Sequence, residues 1–453
     1  MRVRGEGPIP TRVMLIGEAP GEQEEREGRP FVGASGMELN RMLHEVGIMR
    51  SECYVTNVCK IRPPNNQISA FVARTKKEIT PAHTLMRDRY VTKEVTEGYA
   101  ELLTEIEMIQ PNIIVTFGNL AMWALTGNWA ILKWRGSLLE TGGIKLIPTI
   151  HPALILREWS NRAVVLNDLR RVKRHMTSRT YDNKPTWNFT VRPTYPDAIK
   201  TLDALYSDCE HCSEIWLDFD IETRGKGHVY IDCIGIGWSR SDAICIPFMA
   251  RGKATGYWSE EEEAQIVWRL YKLLTHKNVR VRWHNGLFDA QIVHYNWHFI
   301  PRGAQDTMIS QHSLFCALQK ALYFVASMYA DHYIYWKDEG KVASDAPEEQ
   351  RWRYNLQDCV YTREVGEVLT KSLAAMGLSA VDAGQQELFY PVLRAMLRGV
   401  YVRPDVKNKM ALDIQEELSK REAFLFNVLG HSINPGSPKQ MQALFYEDLR
   451  QQP

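Results

Sequence analysis

The first third of the chain alternates short apolar runs with amphipathic stretches, and this alternation restricts the fold more than any other feature. "RVMLIG", "CYVTNVCK", "PNIIVTFG" and "KLIPTIHP" are apolar runs of strand length. "SGMELNRMLHEVGI" and "AELLTEIEMI" lie between them, and in the former Leu39, Met42, Leu43 and Val46 share one helical face. Strands alternating with helices predict a parallel sheet in an α/β/α layer. Ligands of such sheets bind at the carboxyl ends of the strands. The loop after Gly17, "TNVCK" and "IHPA" all fall at such ends.

That first loop, "GEAPGEQEEREGRPFVGASG", has three readings. A phosphate cradle would need G-x-x-x-x-G-K-[ST] or G-x-G-x-x-G, and Glu22, Glu24, Glu25 and Glu27 would repel phosphate. An acidic metal site is a second reading, although consecutive glutamates on a loop are usually solvated. The third is a loop that closes over a neutral ring, with Phe31 as a flat face and one carboxylate to stabilise a developing cation. Asn57 at the end of the second run and His151 at the end of the fourth favour the third. An amide, an imidazole and an aromatic ring converging on one pocket can read the edge of a base. Each also has a plain explanation: Asn57 as a turn cap, His151-Pro152 as a strand stop, Phe31 as core.

A polar stretch, "HMTSRTYDNKPTWNFTVRPTYPD", reads as a linker. A second unit starts near Trp187. Its runs "EIWLDFDIE", "DCIGIGWS" and "DAICIPF" follow one another closely, as in an antiparallel meander. In "SEEEEAQIVWRLYKLL", Ser259 and Glu262 predict a capping box, and Val267, Leu270, Tyr271 and Leu274 a buried face. Beyond residue 310 the pattern is largely helical. Asp220 and Glu222, two apart in a strand, point to one face. "WHNGLFDAQIV" adds Asn285 and Asp289, and "YNLQDCVYT" adds Tyr354 and Asp358 on one helical face. Four carboxylates near one point repel unless cations sit between them, which suits two hard divalent ions acting on a phosphodiester.

Composition excludes several classes. Net charge is +1 over 453 residues, so any nucleic-acid surface must be local. The basic stretch "LRRVKRHMTSR" reads either as a guide for DNA or as a solvated helix face. Eight cysteines are too few for a disulfide scaffold in so long a chain. The pair Cys209 and Cys212 has metal-ligand spacing but no second pair follows, so it reads as a helix end. No run is long enough to span a membrane, and the start lacks a signal-peptide core, which predicts a cytoplasmic protein.

The loop, "YVTNVCKIRPP" and "IHPA" resemble, in order and spacing, the family 4 (thermostable-type) uracil-DNA glycosylases over roughly residues 1 to 176. The resemblance implies that Phe31 stacks on a flipped uracil, Asn57 bonds its pyrimidine edge and His151 donates to its O2. Glu18 and Glu24 become candidates for positioning water or countering the sugar cation. Ala19 stands where other glycosylases of the superfamily place a water-activating Asp or Asn, so the water activator stays open. The cysteines that usually hold a four-iron cluster are missing: the third would fall at Ile61 and the fourth near Gly98. No iron–sulfur cluster is expected, its role passing to packing and to the insertion "NNQISAFVARTKKEITPAHTLMRDRY".

"LDFDIET", "WHNGLFDAQIV", "AQDTMISQHSL" with Asp306, "LYFVASMYADHYIYWKDEGK" and "YNLQDCVYT" resemble the 3′–5′ exonuclease of family A DNA polymerases, an RNase H-like α/β domain. Carried over, Asp220 bridges two Mg2+ or Mn2+ ions, Glu222 and Asp358 hold the first, Asp289 the second, and Tyr354 orients water. "LRGVYVRPDV" and "LGHSINPGSPKQMQALFYEDL" resemble the helical start of the polymerase region of that family, but nothing resembles its palm and fingers. The expected domains are a glycosylase-like 1–178, a linker 179–190, an exonuclease 191–385 and a polymerase start 386–453. The implied partners are uracil-containing DNA, single-stranded 3′ ends and a downstream polymerase region, in a viral replication enzyme of the host cytoplasm. In the rival reading the first domain is a uracil reader or a structural clamp without chemistry.

Overall fold

A computed structural model describes residues 1–73, 75–181, 185–225, 227, 230–250, 256–338 and 347–452. Residues 182–184 of the expected linker and the last three of "LYFVASMYADHYIYWKDEGK" lie outside the described residues. Met1–Leu393 form one compact unit and Arg394–Pro453 another.

The first part runs β1 (Val13–Gly17), α1 (Glu22–Glu27), α2 (Ala34–Glu45), β2 (Cys53–Asn57), β3 (His83–Met86), β4 (Arg89–Thr92), α3 (Lys93–Ile109) and β5 (Ile113–Phe117). It continues through α4 (Asn119–Thr126), α5 (Ile131–Trp134), β6 (Leu139–Thr141), β7 (Ile144–Thr149), α6 (Pro152–Ile155) and α7 (Arg162–His175). The sheet order is β2-β1-β5-β7-β6, parallel except for the edge strand β6. Every residue of β1, β2, β5 and β7 is buried. Helices cover both faces of a parallel sheet, which is why these strands read as unbroken apolar runs. Leu39, Met42 and Leu43 of α2 join Val165 and Leu169 of α7 on one face, while Val95 and Leu102 of α3 join Trp123 of α4 on the other. The insertion packs Phe71 and Val72 into this second layer. Its Asp88 accepts from the Trp123 indole at 2.7 Å, and Arg89 lies over the Trp129 ring at 3.7 Å.

The second part runs β8 (Asn188–Thr190), α8 (Tyr195–His211), β9 (Ile215–Arg224), β10 (Tyr230–Gly237), β11 (Asp242–Pro247), α9 (Glu260–Leu274), β12 (Val279–Trp283) and α10 (Gly286–Trp297). There follow β13 (Gly303–Asp306), α11 (Thr307–Leu314), α12 (Leu322–Tyr329), α13 (Glu348–Ala375), α14 (Ser379–Glu387) and α15 (Phe389–Arg398). The sheet order is β13-β12-β9-β10-β11-β8, with the expected antiparallel meander β9-β10-β11 flanked by parallel neighbours. The second compact unit is helical, with α16 (Pro404–Leu429) and α17 (Pro438–Gln442).

Four local expectations change. The acidic loop contains helix α1, because Gly21 and Gly28 cap a six-residue glutamate-rich turn. Asn188–Thr190, expected in a linker, form an edge strand parallel to β11, held by Trp187 stacked on Phe189 at 5.2 Å. The capping box of α9 is present, but its buried stripe is Ile266, Leu270, Leu273 and Leu274. Val267 is half-buried and Tyr271 is exposed beside Trp268, because the stripe is rotated by one residue. Arg171, placed in a basic stretch, is fully buried. Cys209 is buried in α8 and Cys212 caps its end, so this pair terminates a helix.

Arg171 marks the seam between the two sheets. It donates to Gly136 O at 2.8 Å and to Ala330 O at 2.6 Å, and burial pulls its guanidinium down to about 10, still protonated at neutral pH. Beside it Arg135 bonds Asp168 through both nitrogens and Ser327 Oγ at 2.6 Å, and Thr149 donates to Asp168 at 2.7 Å. Truncating one member strands a buried charge, which costs ~3–5 kcal/mol. Arg135→Ala is therefore expected to lower the unfolding midpoint of the whole chain markedly in a denaturant titration, whereas truncating exposed Arg170 should leave it unchanged.

Candidate functional site

Asn57 ends β2, Glu18 follows β1 and His151 follows β7, so all three sit at carboxyl ends of the first sheet. They line one cavity of about 650 Å³ with Phe31 and Glu24. Phe31 adopts φ 52°, a left-handed conformation uncommon for a residue with a side chain. Arg50 holds it there by donating to Pro30 O at 2.7 Å and Phe31 O at 3.1 Å. The Phe31 ring lies 5.8 Å from the His151 ring and nearly parallel to it. Gly17 makes the approach possible: a Cβ there would meet Asn57 Oδ1 and sit 2.6 Å from Phe31 Cζ.

His151 accepts the Ala153 N–H on Nδ1 at 3.2 Å, which leaves the ring proton on Nε2. Burial, reinforced by Arg157 and opposed by Glu24, lowers its pKa to about 4. The imidazole is thus a neutral donor at physiological pH. Glu24 accepts from Val32 N at 3.1 Å and Gly33 N at 2.8 Å, tying the loop at the start of α2. Glu18 accepts from Leu120 N at 2.9 Å, at the positive end of α4. Lys60, missed in the sequence, is buried and bonds Asn57 O at 3.0 Å and Glu105 at 2.8 Å, fixing the turn that carries Asn57. Its signal was a lysine at the end of an apolar strand. Burial pushes the thiol of nearby Cys59 up to about 12, so it is inert.

The second cleft lies where β9 meets α13. Oxygens of Asp220, Glu222 and Asp358 lie within 4.8 Å of one another. Asp289 adjoins them from α10, accepting from Ile221 N at 3.0 Å, but stands outside that trio. Asp218 shares the β9 face yet is buried between Arg282 at 3.1 Å and Arg363 at 2.6 Å, so it is neutralised. Asp306 accepts from the Asn285, Gly286 and Met308 N–H groups, which makes it a cap for α11 and the α10 turn.

Residues missed in the sequence orient the trio. Asn355 Nδ2 donates to Asp220 at 2.7 Å and Arg351 to Glu222 at 3.1 Å. Trp336 Nε1 donates to Asp358 Oδ1 at 2.7 Å, and Lys337 Nζ bonds Asp358 Oδ2 at 2.6 Å and Tyr354 Oη at 2.8 Å. Arg351, Tyr354, Asn355 and Asp358 follow helical i, i+3, i+4, i+7 spacing, which was readable; Trp336 and Lys337 carry no such pattern.

Burial, then neighbouring carboxylates, raises Asp220 well above the usual range. Burial and then Asp358 lift Glu222 to about 7. Burial lifts Asp289 to about 8 against the N–H groups that favour its anion. A desolvated, oxygen-only donor set with this excess of negative charge fits hard divalent cations. The raised values also set a pH dependence. Between the ordinary carboxylate range and about 8, Glu222 and Asp289 hold more protons in the folded chain than in the unfolded one, so their contribution to stability falls as pH rises through 7 and 8. Calorimetric melting in EDTA should show the midpoint dropping from about pH 6 to 8.5, and added Mg2+ should reverse the trend by replacing the protons.

The chain thus joins an α/β/α layer with a polar pocket at its strand ends to a mixed sheet bearing a carboxylate cluster. Residues 4–171 match the uracil DNA glycosylase superfamily. The type-4 uracil-DNA glycosylase of Thermotoga maritima is 39% identical over 176 residues, covering 38% of this chain and 81% of that protein. The chain belongs to the type-4 uracil-DNA glycosylase family. Its remainder matches DNA polymerases: that of Bacillus phage SP01 is 28% identical over 310 residues, covering 64% of this chain and 31% of that protein. The chain thus spans about a third of that polymerase. Escherichia coli RNase D, an exoribonuclease, superposes with a TM-score of 0.35 at 14% identity, covering 47% of this chain and 51% of that one. The molecule is a glycosylase-like N-terminal part joined to a region similar to DNA polymerases. Among the described residues no helix is long and apolar enough to cross a membrane.

Proposed function

We propose that the chain excises uracil from DNA in its first cleft and trims DNA 3′ ends in its second, as the front part of a viral family A polymerase with proofreading. One observation carries the reading: Phe31 from the loop after β1, Asn57 from the end of β2 and His151 from the end of β7 converge on one cavity. On this reading residues 1–178 are the glycosylase, 179–190 a connector, 191–385 the exonuclease and 386–453 the polymerase start.

Breaking an N-glycosidic bond leaves positive charge on the sugar and negative charge on the base. Extruding the base costs a few kcal/mol, which stacking on Phe31 and edge contacts with Asn57 offset. His151 Nε2–H donates to the O2 of the departing base and stabilises its charge without transferring a proton. Glu18 or Glu24 faces the developing sugar cation.

In the second cleft Asp220, Glu222 and Asp358 would hold one Mg2+ or Mn2+, and Asp220 with Asp289 a second. Bound there, such ions supply Lewis-acid stabilisation of a phosphodiester and make water nucleophilic near neutral pH. Tyr354 orients the attacking water; burial and the carboxylates keep its hydroxyl protonated. Asn355 and Arg351 fix the rotamers of Asp220 and Glu222.

A single-stranded uracil oligonucleotide tests both halves. Alkali-labile sites are expected with or without EDTA, and 3′ shortening only with Mg2+. Because both Glu18 and Glu24 already accept backbone N–H groups, a second reading makes the first cleft a uracil reader. Tight, uracil-dependent binding with no alkali-labile site would favour that reading.

A further inference from the structure

Lys337 is a cation inside the acidic cleft with no part in the chemistry above. It lies on the segment Tyr333–Asp338, whose backbone is pinned to the first sheet: Leu138 N donates to Tyr333 O at 2.7 Å and Tyr335 N to Ser137 Oγ at 3.1 Å. Lys133 pairs with Asp338 at 3.2 Å. The backbone is therefore anchored while the lysine stem remains flexible.

Both oxygens of Asp358 are engaged. Oδ1 is held by Trp336, whose ring is buried and stacked on Tyr361 at 4.2 Å. Oδ2 is held by Lys337, whose side chain is 23% exposed. Each oxygen keeps a second lone pair for a divalent ion, but an ion on Asp358 repels the ammonium at Oδ2, whereas the neutral indole at Oδ1 carries no such conflict. The stacked indole has nowhere to go, whereas the ammonium can swing toward solvent. On the exonuclease reading, the anion that such a freed ammonium would meet is a phosphate of the DNA strand.

We propose that Lys337 is a displaceable cation of the nuclease site. It holds Asp358 and Tyr354 in the metal-free protein and passes to a phosphate of the bound strand when a divalent ion takes Asp358. This rests on the exonuclease reading. The alternative is a fixed ion pair that only stabilises the fold.

Mn2+ binding to the full chain by calorimetry, and anisotropy of a single-stranded oligonucleotide with 3′-terminal phosphorothioate linkages, separate the two. Removing a competing charged hydrogen bond should make Lys337→Met bind Mn2+ about tenfold tighter and the oligonucleotide about tenfold weaker. Unchanged or weaker Mn2+ binding by a folded Lys337→Met protein overturns the proposal. If that variant does not fold, Lys337→Arg decides: a guanidinium gripping Asp358 should weaken Mn2+ binding, and unchanged affinity overturns the proposal. A wild-type chain that binds no Mn2+ overturns the exonuclease reading itself.

Discussion

Asp220→Ala should abolish metal-dependent 3′ trimming, by about a thousandfold or more, while uracil release continues unchanged. Burial, Asp358, Asp289 and Glu222 all disfavour the charge of Asp220. Such crowding is relieved by protons or by bound cations. In the proposed two-ion site Asp220 is the carboxylate common to both positions, so its loss should remove both. Members of a catalytic unit act together, and removing one typically costs about as much as removing several. Gel analysis of a 5′-labelled strand in Mg2+ reads the effect. Asp218→Asn is the matched control on the same strand face. It should cost stability by leaving Arg282 and Arg363 without their carboxylate, yet spare the metal-binding trio. Equal trimming by Asp220→Ala and wild type would remove the second cleft from the account.

His151→Ala should reduce uracil release by about 10²–10³-fold, the usual cost of deleting one donor aimed at a developing anion. Oligonucleotide affinity should change little, because Phe31 and Asn57 still grip the base. The pH profile carries a sharper expectation. With its pKa lowered to about 4, His151 keeps the same neutral form from about pH 5 upward. The rate of base release should therefore show no limb near 6.5 that disappears in His151→Ala. It should fall only as pH drops through about 4, where protonation breaks the Ala153 bond at Nδ1 and turns the ring. A His151-dependent limb near neutrality would mean that the ring works as an acid, not as a fixed donor.

Much of this molecule could be read before any coordinates. β1, β2, β5 and β7 announced themselves as apolar runs because a parallel sheet hides both faces, and "LDFDIET" displayed its carboxylates because strand side chains alternate. The short edge strand Asn188–Thr190 did not, since it offers one apolar side chain between two polar ones and is held by an aromatic stack and a neighbouring strand. The rotated stripe of α9 shows the same limit on a smaller scale. Several of its residues could form an apolar face, and packing against the sheet chose among them.

By itself the sequence determined the strand–helix order, brought Asn57 and His151 to strand ends and put Phe31 in the loop after β1, because chain periodicity and polarity are local properties. It also set Asp220 and Glu222 on one face. Only the tertiary structure decided which charges matter. Asp218 and Asp220 are two residues apart, yet one is paired directly with arginines from β12 and α13, while the other accepts from an amide among a crowd of acids that Lys337 opposes. Arg171 left the surface for a seam, and Lys337 reached Asp358 from a segment pinned to another sheet. Such pairings join residues far apart in the chain, and packing alone sets the few ångströms over which a buried charge is stabilised or left exposed to its own kind.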